Sequence, residues 1–184
     1  MSQESYIKNN VEQATQLLTN YKGKVEKFRG ITAKLALVIA ILNLILLIAV
    51  PFMSFRGESV SMFEIFDYDH DALGGTKFFY VVNWLSTVAV GIIAIVTLKN
   101  PESKSWIKAH CFGGGLDFLM TLILFITHMS AESEITYAHS SCFFWRVIPM
   151  LAAIVYFIIP IFASIYNMYI PVLEKNISEY EKQD

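Results

Sequence analysis

Four long apolar runs constrain this chain of 184 residues more than any other feature of its sequence. They cover residues 35–52, 78–98, 111–129 and 143–170. Each run is long enough to cross the hydrocarbon core of a bilayer as a helix, which takes about 20 residues. Because 55% of the residues are hydrophobic, the composition does not fit an ordinary soluble domain. The fold class predicted is therefore an all-α integral membrane protein, a bundle of four transmembrane helices.

The basic residues predict which ends of these spans face the cytoplasm. Lysine and arginine are retained on the cytoplasmic side. Eleven of the fourteen basic residues lie before the first span, between the second and third spans, or after the fourth. We therefore expect a multi-pass protein of the plasma membrane with both termini cytoplasmic. The transmembrane domain is predicted at 31–171, with external loops at 53–77 and 130–142 and a cytoplasmic tail at 172–184.

The segment 1–30 predicts a cytoplasmic amphipathic helix that is continuous, or nearly continuous, with the first span. Its apolar residues recur at alternating spacings of four and three, which is the a/d pattern of a coiled coil. These residues are Ile7, Val11, Ala14, Leu18, Tyr21, Val25 and Phe28. Such a stripe must be covered, either by Leu173, Ile177 and Tyr180 of the chain's own tail, by another subunit or partner, or by the membrane surface.

The first external loop predicts a short helix that ends near Phe66. Ser61 and Glu64 have the spacing of a capping box, and Val60 and Ile65 can form the hydrophobic staple around it. The apolar side of this helix must contact the bundle, the lipid interface or a partner. The residues predicted to make a partner contact here are Met62, Phe63 and Phe66.

The stretch SFRGESVSMFEIF, residues 54–66, follows a span that ends in proline and aromatic residues. It contains the pattern V-S-x-F-x-x-F. In both respects it resembles a segment of small four-helix membrane proteins of Gram-positive bacteria. The resemblance implies a bacterial plasma-membrane protein without an assigned reaction.

An acidic run follows the short helix. Carboxylates alternate there as they do in a calcium-binding loop, at Asp67, Asp69 and Asp71, with His70 between the last two. An EF-hand also needs Gly at the sixth position and Glu at the twelfth, and this chain has Ala72 and Phe78. A solvated acidic turn is the main expectation, and divalent-cation binding by Asp67, Asp69, His70 and Asp71 is the alternative. No cofactor motif is found, and no cofactor is expected.

Two polar residues lie inside predicted spans. Asp117 costs about 2.5–3.5 kcal/mol on an insertion scale, so the other helices must shelter it from lipid. It is either a functional carboxylate or a structural one hydrogen-bonded to Ser164 or Tyr166, which are predicted at similar depth. Asn43 is expected to form an interhelical hydrogen bond. The glycines at 113–115 are expected to let another helix approach or to loosen the first turns of the third span.

The sequence contains no motif typical of an enzyme. There is no His-Glu-x-x-His, no nucleophile elbow and no pair of ionisable residues predicted at one membrane depth. A nucleic-acid partner is not expected, because no cluster of basic and aromatic residues occurs. The leading interpretation is a non-enzymatic subunit that acts through protein contacts, as a homo-oligomer or as an accessory to another membrane protein. The alternatives are a small oligomeric ion channel or transporter that uses Asp117, and an immunity protein against a membrane-active toxin.

Overall fold

The computed structural model gives the arrangement of the four apolar runs. The structure describes residues 3–49, 53–55, 58–61, 63–103, 105–134, 138–139, 143–180 and 182.

All four apolar runs form helices that are longer than the runs themselves. Their bounds are Gln3–Ala49 (α1), Gly74–Lys99 (α2), Trp106–Glu134 (α3) and Phe143–Tyr180 (α4). Each helix is long and apolar enough to cross a membrane. The prediction of four helices with the composition of membrane spans is therefore confirmed.

The helix ends differ from the predicted span ends. The first span was expected to reach Phe52; α1 is described as far as Ala49, and residues 50–52 lie outside the described residues. Most of the predicted tail is a continuation of α4, which reaches Tyr180. This helix continues through three prolines, at 149, 160 and 171. Proline is tolerated in membrane helices because neighbouring groups can satisfy the carbonyls that it frees.

The helices pack in cyclic order, with α1 and α3 each in contact with both α2 and α4. Small residues allow close approach between α1 and α2. Ala36 and Ala40 are buried, and a Cβ atom built on Gly91 would lie 3.5 Å from the Cβ of Ala40. At this contact the small residues of α1 and α2 allow the two helices to approach closely.

The heptad stripe of α1 packs in part on α4 of the same chain. The ring of Tyr21 lies 5.4 Å from that of Tyr166, and the ring of Phe28 lies 5.9 Å from it. Lys22 forms an ion pair of 2.9 Å with Glu174 on the solvent side. The stripe was predicted to be covered by the chain's own tail, by another subunit or partner, or by the membrane surface, and at Tyr21 and Phe28 it contacts α4 of the same chain.

The other residues of the stripe are partly buried where their side chains are described. Val25 is partly buried against the cluster of Trp106, Ile107 and Ala163. Val11 and Leu18 are half-buried, and the side chain of Ile7 lies outside the described part of the structure. The part of the stripe that is left for a contact with a partner therefore lies toward the N-terminal end of α1.

The two loops predicted to be external form a small sheet that the sequence did not predict. Strands β1 (Met53–Phe55) and β2 (Glu58–Val60) form an antiparallel pair, and β3 (Ala138–His139) pairs with the other edge of β1. Because β3 belongs to the second external loop, this sheet joins the two loops at one end of the bundle.

The predicted capping box is confirmed. The Ser61 amide donates to Glu64 Oε2 over 2.6 Å, and the Glu64 amide donates to Ser61 Oγ over 3.3 Å. The helix that follows is a 3₁₀ helix, Glu64–Asp67, and it buries Ile65 against the bundle. The neighbouring Phe63 and Phe66 remain 56% and 43% exposed. Met62 lies outside the described residues.

Candidate functional site: a polar track between α2 and α3

Helices α2 and α3 each bury a stripe of polar side chains. We call these two stripes the polar track. Within each helix, many of these residues are separated by about seven, ten or eleven positions, which is about two or three helical turns. They therefore fall on one face of the helix. The polar track consists of Thr76, Asn83, Ser86, Thr87 and Thr97 on α2 and His110, Asp117, Thr121 and His128 on α3, all of them buried.

Asp117 lies near the middle of the polar track and is 1% exposed. Its Oδ1 accepts hydrogen bonds from Ser86 Oγ at 2.9 Å and from Thr87 Oγ1 at 3.0 Å. Its Oδ2 is buried and has no hydrogen-bond partner. Among the described residues, no lysine or arginine forms an ion pair with this carboxylate.

The partners expected for Asp117 from the sequence were wrong. Ser164 donates instead to the carbonyl oxygen of Ile161 on its own helix, at 2.7 Å. Tyr166 packs against the aromatic rings of α1. The hydroxyl groups that contact the carboxylate come from α2, because α2 and not the C-terminal half of α4 packs against this level of α3.

A second interhelical contact lies on the side of Asp117 toward the C-terminal end of α3. Asn83 Nδ2 donates to Thr121 Oγ1 at 2.8 Å, and both side chains are buried. Farther out, His128 Nε2 lies 3.0 Å from Glu132 Oε1, one turn along α3. The polar track therefore extends from Asp117 toward the end of the bundle that carries the external loops.

On the other side of Asp117, His110 joins three helices. Its Nε2 lies 2.9 Å from Thr97 Oγ1, and its Nδ1 lies 2.6 Å from the hydroxyl oxygen of Tyr156 on α4. A neutral imidazole donates through one nitrogen and accepts through the other, so both contacts can form together. The expectation that no two ionisable residues share a membrane depth was wrong, because His110 and Tyr156 are in direct contact.

The three glycines of α3 allow this packing. A Cβ atom on Gly114 would lie 2.8 Å from Tyr156 Cε1, and one on Gly115 would lie 3.3 Å from Phe157 Cε2. Gly113 faces α2, where a Cβ atom would lie 2.8 Å from the terminal methyl group of Ile93. Close approach of neighbouring helices, one of the two expectations for these glycines, is confirmed, and α3 remains helical throughout.

Asn43 of α1 is buried, as expected for a polar residue inside the membrane, with 4% exposure. The expected interhelical hydrogen bond of its amide nitrogen is not formed, since Nδ2 has no partner. Asn43 and Asp117 are therefore two of the buried side chains that have a polar atom without a hydrogen-bond partner among the described residues, and Thr32 and Thr76 are others. Such groups are costly in a bilayer and carry functional interest.

The acidic run is separate from the polar track. Asp67, Asp69, His70 and Asp71 are exposed, and His70 Nδ1 accepts a hydrogen bond of 3.2 Å from the Ala72 amide. The described residues contain no group of three or more His, Cys, Asp or Glu side chains positioned to hold a metal ion.

Most residues of the polar track were not predicted from the sequence as members of a site, although those on α3 have a spacing that indicates a shared helix face. His110, Asp117, Thr121 and His128 are separated by seven, four and seven residues, which is one face of a helix. His110 was assigned to the middle loop because the apolar run begins only at Cys111. Serine and threonine are common in membrane helices, so those of α2 give no distinctive signal in the sequence.

Comparison with protein-family models, with curated proteins and with solved structures finds no match.

Proposed function

We propose that this protein is a small membrane channel or transporter that moves a small cation through the interior of its helical bundle, with Asp117 as the residue that binds the ion. The observation that carries this proposal is the unpaired Oδ2 of Asp117, an acidic oxygen buried in the bundle without a basic partner among the described residues. An intramembrane carboxylate that faces the bundle interior is typical of ion and proton pathways.

The surroundings of Asp117 support a pathway rather than an isolated structural contact. Polar side chains continue from it in both directions, through Asn83 and Thr121 toward His128 and through Tyr156 toward His110. At 1.5 Å per residue, the stretch of α3 from His110 to His128 is about 27 Å long, close to the roughly 30 Å hydrocarbon core. Carboxylate, imidazole and hydroxyl groups can all exchange protons or coordinate a cation.

The proposal includes a place in the cell. We propose the plasma membrane of a bacterium, with both termini in the cytoplasm. The distribution of eleven of the fourteen basic residues supports this orientation, and the resemblance of residues 54–66 to a segment of Gram-positive membrane proteins supports the bacterial origin.

The purified full-length protein in proteoliposomes tests this function. Imposed Na⁺ and H⁺ gradients should drive ion movement across the vesicle membrane, and a dye for internal Na⁺ and a dye for internal pH report it. We expect Asp117→Asn to abolish the movement, since it removes the carboxylate that is buried at this level while keeping the side-chain shape. Glu174→Gln is the matched control, because Glu174 is exposed outside the polar track. Wild-type vesicles as tight as empty ones, or unchanged flux in Asp117→Asn, would refute the proposal.

A second candidate is a subunit that acts through protein contacts, as an oligomer or as an accessory to another membrane protein. Phe63 and Phe66 favour it, because two aromatic side chains remain largely exposed on the external side although both rings lie within about 6 Å of Tyr80. Light scattering in mild detergent tests this candidate. An oligomer that Phe63→Ser with Phe66→Ser converts into a monomer supports it, and a wild-type monomer argues against it.

A further inference from the structure

Asn43 and Asp117, two of the buried side chains that have a polar atom without a partner among the described residues, lie at one level of the bundle. Tyr80 Oη donates to the carbonyl oxygen of Leu47 at 3.3 Å, and Gly91 approaches Ala40 on the same pair of antiparallel helices. Asn43 lies between Ala40 and Leu47, so it lies opposite the stretch of α2 that holds Ser86 and Thr87. These are the hydroxyl residues that contact Asp117.

The hydroxyl group of Ser86 has one proton to donate, but two neighbouring oxygen atoms lie within hydrogen-bond distance of it. Its oxygen lies 2.8 Å from the carbonyl oxygen of Asn83 and 2.9 Å from Asp117 Oδ1. Both neighbours are acceptors when Asp117 is ionised, and a serine hydroxyl has a single proton to donate. With Asp117 ionised, one of the two oxygen pairs therefore lacks a full hydrogen bond. Protonation of Asp117, or a cation that both oxygens coordinate, would each remove this shortage.

The ligand chemistry at this level consists of hard oxygen atoms. Asp117 contributes carboxylate oxygens, Ser86 and Thr87 contribute hydroxyl oxygens, and rotation of the Asn43 amide group presents its Oδ1 in place of Nδ2. Hard cations prefer oxygen ligands of this kind. A single carboxylate balances one positive charge, whereas a divalent ion would leave a net charge buried among apolar residues, which is costly.

From this arrangement we propose that Asp117, Ser86, Thr87 and Asn43 form a binding site for Na⁺. The proposal rests on the proposed function and names its ion. The close approach of α1 and α2 at Ala40 and Gly91, immediately beside this level, favours a small ion over K⁺. Binding would satisfy Asp117 Oδ2 and would relieve the shortage of protons at Ser86.

Binding of radioactive Na⁺ to the purified full-length protein in mild detergent is the direct test. Choline chloride holds the ionic strength constant as the Na⁺ concentration is varied. We expect saturable binding and a rise of about 5–10 °C in Tm at a hundredfold excess over Kd. Li⁺ should compete better than K⁺.

The variants separate the site from the rest of the bundle. Asp117→Asn should weaken Na⁺ binding at least about 30-fold, because a buried charge loses its partner. Thr87→Val and Asn43→Leu each remove one neutral ligand and should weaken binding about 5- to 10-fold. Ser164→Ala is the matched hydroxyl control, since Ser164 bonds only within α4 among the described residues, and it should bind as the wild type does.

The outcomes distinguish this inference from the proposed function. Absence of saturable Na⁺ binding, equal displacement by K⁺, or unchanged binding in Asp117→Asn and Thr87→Val would overturn the Na⁺ site. If proton movement in proteoliposomes still depends on Asp117 in that case, the proposed function stands without Na⁺. Site-specific Na⁺ binding in a protein that moves no ion would support the site and refute the transport function.

Discussion

Substitution of Gly114 by alanine tests the packing that holds the polar track together. The added Cβ would lie 2.8 Å from Tyr156 Cε1, about 0.7 Å closer than the shortest favourable carbon–carbon contact of roughly 3.5 Å. Tyr156 is fully buried, so its ring has no free space into which to move. A shift of that size also lengthens its hydrogen bond of 2.6 Å with His110 Nδ1 to the limit of a useful one, about 3.2 Å.

The expected loss of stability follows from three terms. Overpacking costs about 1–3 kcal/mol, and an unsatisfied buried group costs about 1–3 kcal/mol. In the opposite direction, replacing glycine by alanine inside a helix stabilises the folded protein by up to about 1 kcal/mol. The balance for Gly114→Ala is a destabilisation of about 3 kcal/mol, at the middle of the range.

Gly113→Ala is the matched control. Its Cβ would meet the terminal methyl group of Ile93, also at 2.8 Å, but this methyl group lies at the end of a flexible side chain that is half-buried. Because the methyl group can rotate away, we expect a change within about 1 kcal/mol of zero. Two adjacent glycines with the same nominal clash should therefore differ clearly in stability.

Reversible unfolding in mixed micelles, with the SDS fraction as the variable and circular dichroism as the signal, measures both variants. In a Tyr156→Leu background, which removes the ring atoms that clash, Gly114→Ala should lose most of its effect. The reasoning is refuted if Gly114→Ala is as stable as Gly113→Ala, or if its cost is the same with and without the Tyr156 ring.

Two further predictions concern hydrogen bonds outside that contact. Ser61→Ala removes the hydroxyl oxygen that accepts from the Glu64 amide, so the Glu64 amide and the helix after it should exchange hydrogen faster, by amide-exchange mass spectrometry. The Ser61 amide, and next its hydroxyl, hold the pKa of Glu64 below its ordinary value of 4.5. The same protection should therefore be complete above pH 4.5 and be lost as the pH falls through the lower folded value. A double-mutant cycle of Asn83→Ala and Thr121→Ala in the unfolding assay should give a coupling of about 0.6–2 kcal/mol, and additive effects would exclude their hydrogen bond.

Local patterns allowed several features to be predicted from the sequence. The helices follow from apolar runs, and the capping box follows from Ser61 and Glu64, because the contacts involved join residues a few positions apart. The continuation of α1 into the polar N-terminal segment was predicted from its heptad spacing, whereas the continuation of α4 to Tyr180 was harder to predict, since the segment beyond its apolar run is polar. No proline interrupts α1 before Ala49, and the packing of Tyr21 on Tyr166 favours continuation of both helices at that end.

The partners of Asp117 depend on information that one sequence does not contain. Several hydroxyl residues lie at a similar depth on the predicted helices, and only the packing order of the helices and their rotation decide which ones face the carboxylate. The contact of His110 with Tyr156 depends in addition on Gly114, whose lack of a side chain admits the ring. The β3 strand pairs across 84 residues of chain, and a strand of two residues leaves no periodic signal.

Transport through the bundle requires that the polar track run across the membrane, with its two ends in different aqueous compartments. Labelling of single cysteines with a membrane-impermeant reagent in intact cells measures this directly, after Cys111 and Cys142 have been replaced by serine. Cysteine in place of Ser133, at the loop end of α3, should be labelled from outside the cell. Cysteine in place of Glu179, near the end of α4, should be labelled only after permeabilisation. Labelling of both positions from outside, or of Glu179→Cys alone, would contradict the account.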